Sequence, residues 1–193
     1  MRKLKLQMQI TVDGFVAGPN GEQDWVFNSG KPDPEAMQKI IGFGVELASS
    51  CDTLLLGRKL AASGFCDYWE KVAENQPDNP WHPLAQLIAD HRKIAFSSTE
   101  RTVPGRNVEV ENGFLVPVVQ ALKEQPGKDI LVYGGANFVS YLVSRNLIDE
   151  YYLVVNPIAI GSGLSIFRER RALELVSSMA FKHGKVVNKY VPV

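Results

Sequence analysis

The sequence has few cysteines and no arrangement of residues typical of a metal site. Cys51 and Cys66 are the only cysteines among 193 residues, too few for a disulfide framework. Neither belongs to a Cys-x-x-Cys pair, and His82, His91 and His183 also lack the spacing of zinc ligands. We therefore expect a protein of the reducing cytoplasm that binds no metal.

An excess of positive or negative charge is also absent, because Lys and Arg together number 21 and so do Asp and Glu. Such a chain has no wide electrostatic field to attract nucleic acid or an anionic membrane, so an anionic ligand must be held by local groups. No run of about 18 uncharged apolar residues occurs, and the N-terminus lacks the apolar stretch of a signal peptide. We expect a soluble protein whose partners are neither nucleic acids nor membranes.

The composition fits one globular domain spanning residues 1–193. Hydrophobic residues make up 45% and charged residues 22% of the chain, enough apolar material for a substantial core. Predicted strands alternate with predicted helices, which favours an α/β fold with a mainly parallel central sheet and antiparallel C-terminal strands. The predicted strands are 4–12, 52–57, 93–98, 130–133, 149–160 and 180–193, and helices are predicted at 33–50, near 83–90, from 117 and at 136–146.

The helix predicted at 33–50 has a clear start signal. Asp33 fits the N-cap and Pro34 the first helical position, where the missing N–H of proline costs nothing. Apolar residues then recur at steps of three and four, so one face of the helix should pack on the sheet. The predicted inward residues are Met37, Ile40, Ile41, Gly44, Leu47 and Ala48.

Several predicted strands end in glycine or hydroxyl residues. These endings are Gly57-Arg58, Ser97-Ser98-Thr99 and Gly134-Gly135. Open α/β sheets bind ligands beyond the carboxyl ends of their strands, so we expect the endings to converge on one crevice. Gly134 and Gly135 lack Cβ atoms, and the helix after them would point its free N–H groups at a phosphate. A Gly-Gly pair also fits an ordinary turn, so both interpretations stay open.

Four stretches carry a resemblance to a known family: "ITVDGFVAGPNGEQDW", "LLLGRK", "KIAFSST" and "LVYGGANFVSYLVSRNLIDEYYLVVNPIAIGSGLSIF". In order and spacing they resemble the dihydrofolate reductase-like family, and most closely its branch formed by the C-terminal reductase domain of the riboflavin-biosynthesis deaminase-reductase. The resemblance implies a three-layer α/β/α fold and an NADPH-dependent oxidoreductase, often a homodimer. Its implied substrate is a pterin-like or pyrimidine-like heterocycle, as in dihydrofolate reductase or 5-amino-6-(5-phosphoribosylamino)uracil reductase.

The resemblance also implies a set of cofactor-binding residues. Gly57, Arg58 and Lys59 correspond to the contacts with the adenosine-side phosphates, and Ser97 and Ser98 to those with the adenine ribose phosphate. The remaining residues implied are Gly134, Gly135, Ala136, Asn137 and Phe138 for the pyrophosphate, and Gln9, Val16 and Ala17 for the nicotinamide.

Three residues are candidates for a catalytic role, and each has a plainer alternative. Asp13 follows the first strand and would overlook the nicotinamide, but Asp before Gly is an ordinary turn residue. Trp25 fits either an aromatic lid or an anchor for its loop, and Tyr133 either a phenol near the cofactor or half-buried packing. The predicted inner face of helix 33–50 carries no carboxylate, unlike that of folate-reducing enzymes. A nucleotide-binding module without catalysis is therefore the alternative function.

Overall fold

The computed structural model describes residues 1–28 and 30–193, and these contain a sheet of eight strands. The strands are β1 (Leu4–Thr11), β2 (Cys51–Gly57), β3 (Arg92–Phe96), β4 (Val108–Glu111), β5 (Asp129–Gly134), β6 (Glu150–Asn156), β7 (Leu173–Ala180) and β8 (Val186–Pro192). The helices are α1 (Trp25–Asn28), α2 (Pro34–Ser49), α3 (Arg58–Ala62), α4 (Phe65–Asn75), α5 (His82–Asp90), α6 (Leu115–Glu124) and α7 (Ala136–Ser144).

The strand order in the sheet is β4-β3-β2-β5-β1-β6-β8-β7. Neighbouring strands from β4 to β6 run parallel, whereas β8 is antiparallel to both β6 and β7. The predicted mainly parallel sheet with antiparallel C-terminal strands is confirmed. Because β5 inserts between β1 and β2, the carboxyl ends of β1, β5 and β2 lie side by side at the centre of the sheet.

Helices cover both faces of the sheet. Leu4, Leu6, Met8 and Ile10 of β1 are buried on one face, together with apolar residues of α6 and α7. The opposite face packs against α2 and α5 through a second buried cluster: Leu47, Ala48, Cys51, Leu54, Leu84, Ile88 and Leu131. Burial of both faces supplies most of the hydrophobic stabilisation and gives the predicted three-layer arrangement.

The N-terminus of α2 forms as the sequence predicts. The carboxylate of Asp33 accepts a hydrogen bond from the backbone N–H of Ala36 at 2.8 Å, and Pro34 begins the helix. The prediction for Met37 is wrong, because its side chain is 40% exposed. Ala36 takes the inward place, one residue earlier, so the buried stripe starts with a smaller side chain than the apolar pattern suggested.

The C-terminal strands differ from the prediction. Residues 180–193 were expected to form one strand, but they contain the end of β7, a turn and β8. The strand β7 was not predicted, because almost every residue in it is exposed and it shows no alternation of buried and exposed side chains. The helix α4 (Phe65–Asn75) was also missed, because no helix or strand was predicted between residue 57 and the helix near residues 83–90.

A buried carboxylate lies at the amino end of β6, at the opposite edge of the sheet from the carboxyl ends of β2, β3 and β5. Glu150 is 5% exposed and accepts hydrogen bonds from Lys3 Nζ at 2.7 Å and the Tyr152 hydroxyl at 2.7 Å, and Lys189 Nζ lies 3.2 Å away. Burial alone would raise the pKa of Glu150, but these hydrogen bonds outweigh it and lower the pKa to about 2. The group is a structural ion cluster, remote from the strand endings.

Candidate active site

The three predicted strand endings meet at one edge of the sheet. In the parallel register, Gly57 of β2 pairs with Phe96 of β3, and Leu56 of β2 pairs with Gly134 of β5. Arg58, the Ser97–Thr99 turn and the Gly134-Gly135 pair therefore follow three adjacent strands directly. This is the position at which open α/β sheets bind ligands.

The two glycines after β5 have different physical reasons to be glycine. Gly134 has φ of 139°, a conformation that residues with a Cβ rarely adopt, and the peptide bond to Gly135 is cis. Gly135 has an ordinary φ of −69°, and a Cβ built on it would meet no atom within 4 Å. Neither its φ nor packing against other described residues requires glycine at position 135. The space over its backbone is open.

The open space lies at the N-terminus of α7. This helix begins at Ala136, and its N-cap residue is Gly135, which has no side chain to cap the first turn. The first N–H groups of a helix have no intrahelical acceptor, and the helix dipole adds partial positive charge there. Gly57 is also needed here, because a Cβ on it would lie 2.7 Å from the Cβ of Phe138. Strand β2 thus approaches α7 closely, and the arrangement fits a bound phosphate group.

Two basic side chains project from the first turn of α3. Arg58 and Lys59 are exposed, and Arg58 Nη1 lies 3.7 Å from Glu100 Oε1. An exposed ion pair at this distance holds the arginine weakly, so Arg58 can exchange Glu100 for a ligand phosphate at small cost.

The hydroxyl of Ser97 already has a structural role. Ser97 is buried, and its Oγ accepts hydrogen bonds from the backbone N–H groups of Thr99 at 3.2 Å and Glu100 at 2.8 Å. The hydroxyl shapes the turn after β3 and retains its own proton to donate. The neighbouring Ser98 is exposed.

Arg168, which belongs to the charge run "RERR" at 168–171, reaches the first turn of α7. Its Nη2 donates a hydrogen bond to Asn137 Oδ1 at 2.6 Å. Arg171 contacts the other end of the same helix, donating to Asn146 and to the backbone carbonyl of Val143. Two arginines of this charge run therefore contact opposite ends of α7.

The carboxylate of Asp13 ties two loops together. It accepts hydrogen bonds from the Thr11 hydroxyl and from the backbone N–H groups of Gly161 at 2.7 Å and Ile160 at 3.0 Å. The hydrogen bond from Thr11, followed by that from Gly161, lowers the pKa of Asp13. A carboxyl group with a lowered pKa is ionised at neutral pH, so this geometry suits a loop tie better than a proton donor.

The loop after β1 packs against the loop of residues 157–172 between β6 and β7, called the 160s loop below. Val16 and Ala17 are buried, and their backbone exchanges hydrogen bonds of 2.8 Å with Leu164 in both directions. Trp25 is only 5% exposed, and its Nε1 has no hydrogen-bond partner among the described residues. Of the two roles predicted for Trp25, its burial fits the loop anchor.

A partly open floor lies on the α2 side of the three central strands. Gln7, Gln9, Tyr133 and Tyr152 are half-buried on the same face of β5, β1 and β6. The register pairs Gln7 with Tyr152 of β6, and it pairs the preceding Leu6 with Val132 of β5, the residue before Tyr133. Side chains in the centre of a sheet covered by helices are normally buried, so their partial exposure marks a cleft beside α2.

Half-buried aromatic side chains border this cleft. Ring centroids lie 5.8 Å apart for Phe65 and Tyr133, 6.0 Å for Phe43 and Tyr152, 6.3 Å for Phe65 and Trp69, and 6.5 Å for Trp69 and Trp81. Trp69 and Trp81 pack against the cluster below α2 and α5. No motif in the sequence indicated that Phe43, Phe65 and Gln7 would lie at this cleft.

Two polar atoms on the floor are buried without a hydrogen bond. They are the hydroxyl of Tyr133 and Oε1 of Gln7, which have no partner among the described residues. Burial raises the pKa of Tyr133, so its hydroxyl keeps its proton throughout the neutral range. By contrast, Gln9 Oε1 accepts a hydrogen bond from Asn156 Nδ2 at 2.9 Å. One amide oxygen and one phenol hydroxyl of this face therefore lack the hydrogen bond that buried polar groups normally have.

The described part of the chain contains no group of three or more His, Cys, Asp or Glu side chains arranged to hold a metal ion. Within residues 1–28 and 30–193, no helix combines the length and apolar character needed to cross a membrane.

The sheet and the three layers are those of the dihydrofolate reductase-like fold. The family model described as the RibD C-terminal domain matches residues 2–187, and the chain belongs to this family. It is 31% identical over 189 residues to the uncharacterized protein YyaP of Bacillus subtilis (strain 168), covering 96% of this chain and 92% of YyaP.

Two solved structures share the fold. A putative riboflavin biosynthesis protein from Shewanella sp. PV-4 superposes with a TM-score of 0.68 at 21% identity, covering 99% of both chains. Dihydrofolate reductase from Enterococcus faecalis, solved with NADP(H), superposes with a TM-score of 0.60 at 13% identity, covering 98% of this chain and 96% of the reductase. The predicted family and fold are thereby confirmed.

Proposed function

We propose that the protein is an NADPH-dependent reductase that reduces a pterin-like or pyrimidine-like heterocycle. The observation that carries this proposal is the open space over Gly135 at the uncapped N-terminus of α7. A dinucleotide needs a place where its pyrophosphate can approach the backbone without meeting a Cβ, and the chain provides one beside a charged Arg58.

The proposed cofactor contacts follow from this position. The backbone N–H groups of residues 135–138 would face the pyrophosphate, and Arg58 and Lys59 would supply positive charge to the adenosine-side phosphates. The hydroxyls of Ser97 and Ser98 would donate to the adenine ribose phosphate. Gln9 and the loop at Val16 and Ala17 would border the nicotinamide. When bound, NADPH supplies the hydride for the reduction.

The chain's own residues would orient the heterocycle and exclude water. The aromatic border of the cleft can hold a planar ring, and buried Trp25 fixes the loop beside it. Tyr133 has a protonated, buried hydroxyl without a partner beneath the cleft, and this hydroxyl would donate a hydrogen bond to a nitrogen or oxygen of the bound ring. Asp13 would keep the loop after β1 in place through its hydrogen bonds to the 160s loop, without donating a proton.

A nucleotide-binding module without catalysis is the second candidate. It is favoured by the inward face of α2, whose buried residues are all uncharged: Ala36, Ile40, Ile41, Gly44, Leu47 and Ala48. A module of this kind would bind the nucleotide at α7 and leave the aromatic cleft without a reaction to perform.

Calorimetric titration with NADPH and with NADH tests the cofactor site, and NADPH oxidation with a panel of pterins, lumazines and aminouracils tests the reaction. Micromolar binding, about −8 kcal/mol, with turnover of one heterocycle supports the reductase. Binding without turnover across the panel supports the module, and no binding of either nucleotide refutes both.

Arg58→Ala tests which cofactor the basic residue selects. If Arg58 contacts a 2′-phosphate, the variant should weaken NADPH about tenfold or more and NADH much less. Lys39→Ala is a matched control, because Lys39 pairs with Glu35 on the exposed side of α2. Equal weakening of both nucleotides would contradict the assignment of Arg58 to the 2′-phosphate.

A further inference from the structure

We propose that Gln7 determines specificity in the aromatic cleft by binding an uncharged heterocycle through a lactam edge, an N–H beside a C=O. The inference rests on the proposed function, because the same cleft would hold the ring next to the cofactor. It adds the substrate's charge and hydrogen-bonding pattern, which the strand endings and the glycine turn do not define.

The first observation is the pair of buried, unpartnered polar atoms. Gln7 and Tyr133 lie on the neighbouring strands β1 and β5, and neither Oε1 of Gln7 nor the hydroxyl of Tyr133 has a hydrogen-bond partner among the described residues. Buried polar groups of folded proteins are nearly always hydrogen-bonded, so such a pair in a partly open cleft indicates a ligand contact. Gln9 lies two residues further along β1, and its Oε1 already accepts a hydrogen bond from Asn156. Gln7 is therefore the better candidate for the ligand contact.

The second observation is the lack of charge around the pair. The inward residues of α2 are uncharged, and the aromatic border consists of Phe and Trp side chains. On the same face of β1, Lys5 Nζ lies at the amino end, 2.9 Å from Asp129 Oδ2. Tyr152 directs its hydroxyl to Glu150, also at the amino end. A charged ring in this cleft would lose its hydration without gaining an opposite charge, so the cleft selects a neutral ring.

The third observation is chemical complementarity. The amide of glutamine presents one acceptor and one donor in a plane, the mirror pattern of a lactam N–H and C=O. A ligand that enters with this edge satisfies Oε1 of Gln7, donates from its own N–H and accepts from Nε2. The planar ring then stacks against the aromatic side chains that border the cleft.

Calorimetry with three small probes tests the inference. Lumazine and pterin carry a lactam edge, whereas 1,3-dimethyllumazine has methyl groups in place of its ring N–H groups. We expect the protein to bind lumazine and pterin about tenfold or more tightly than the dimethyl compound. Gln7→Met should remove this preference, because methionine keeps the chain length and loses the amide.

Gln7→Glu provides a second, independent test. A carboxylate has two acceptors and no donor, so it matches the adjacent N–H and amino donors of pterin but repels the lumazine carbonyl. This variant should favour pterin over lumazine by about tenfold, whereas the wild type binds the two alike. Thermal melting checks that both variants are folded.

The outcomes separate this inference from the proposed function. NADPH is titrated apart from the heterocycles, and its affinity should stay within about twofold in both variants. Equal binding of lumazine and its dimethyl form, no lumazine binding, or an unchanged preference in Gln7→Met would overturn the role of Gln7 even if NADPH binds. Loss of NADPH binding in the wild type would instead refute the reductase.

Discussion

The strongest prediction compares alanine at two glycines that lie on either side of the start of α7. Gly135→Ala places a methyl group in the open space at the proposed pyrophosphate position, where, apart from the adjoining residues, no described atom lies within 4 Å. Gly57→Ala places the same methyl group 2.7 Å from the Cβ of Phe138, inside the contact between β2 and α7. The two variants add the same atoms but meet different surroundings.

The expected magnitudes follow from these distances. Carbon atoms pack at about 3.5–4.0 Å, so Gly57→Ala must shift β2 or α7 and should lower the free energy of unfolding by about 1–3 kcal/mol. For a chain of this length, each kcal/mol lowers the melting temperature by about 2–4 °C. Gly135→Ala has an ordinary φ of −69° at its site and meets no neighbour, so its stability should change by about 0.5 kcal/mol or less.

Cofactor affinity should show the opposite order. A methyl group at Gly135 displaces a pyrophosphate from the N–H groups of α7 and should weaken NADPH about tenfold or more, measured by calorimetry well below the melting temperature. Gly57→Ala should weaken NADPH only as far as it shifts α7. A folded Gly135→Ala protein with wild-type affinity would refute the site, since glycine there would serve the turn alone.

Three further predictions concern stability, loop position and assembly. Because the pKa of Glu150 is lowered to about 2, its stabilisation is present above pH 4.5 and lost as the pH falls towards 2. Urea unfolding should therefore lose about 3 kcal/mol between pH 7 and pH 2, and Glu150→Gln should flatten this dependence. Asp13→Asn should lower the melting temperature but leave kcat nearly unchanged, whereas a large loss of kcat would restore Asp13 as proton donor. The edge strand β7 leaves Val176 52% and Met179 49% exposed, and an apolar edge strand can pair with a second chain. We therefore expect light scattering to show a homodimer for the wild type and a monomer for Val176→Lys. A wild-type monomer would contradict this expectation.

Local signals predicted most of the parallel half of the fold. Asp33 and Pro34 mark the start of α2 because capping chemistry is decided by neighbours in sequence. The continuous apolar runs that became β2, β3 and β5 were predicted because both faces of these strands are covered. The resemblance supplied the three-layer class, whereas the strand order was not predicted, because periodicity does not determine which strands become neighbours.

Strands without a buried face escaped prediction. The sequence of β7 alternates no apolar and polar set that a core could use, since both of its faces are exposed. In β1, Gln7 is one of the polar residues that alternate with apolar ones, and this pattern predicts a solvated face for it. In the structure that face lies beneath α2, so the same residue becomes part of a cleft floor.

The glycines show most clearly what the sequence cannot separate. Gly57, Gly134 and Gly135 are the same letter, but one is required by packing, one by a positive φ and one by neither. Packing and φ are properties of the fold, and they would hold in a protein that binds nothing. Only the third glycine, with open space over its backbone and the uncapped start of α7 beside it, calls for a ligand. The functional proposal therefore depends on Gly135 far more than on the pair, and a single methyl group at that position is its most direct test.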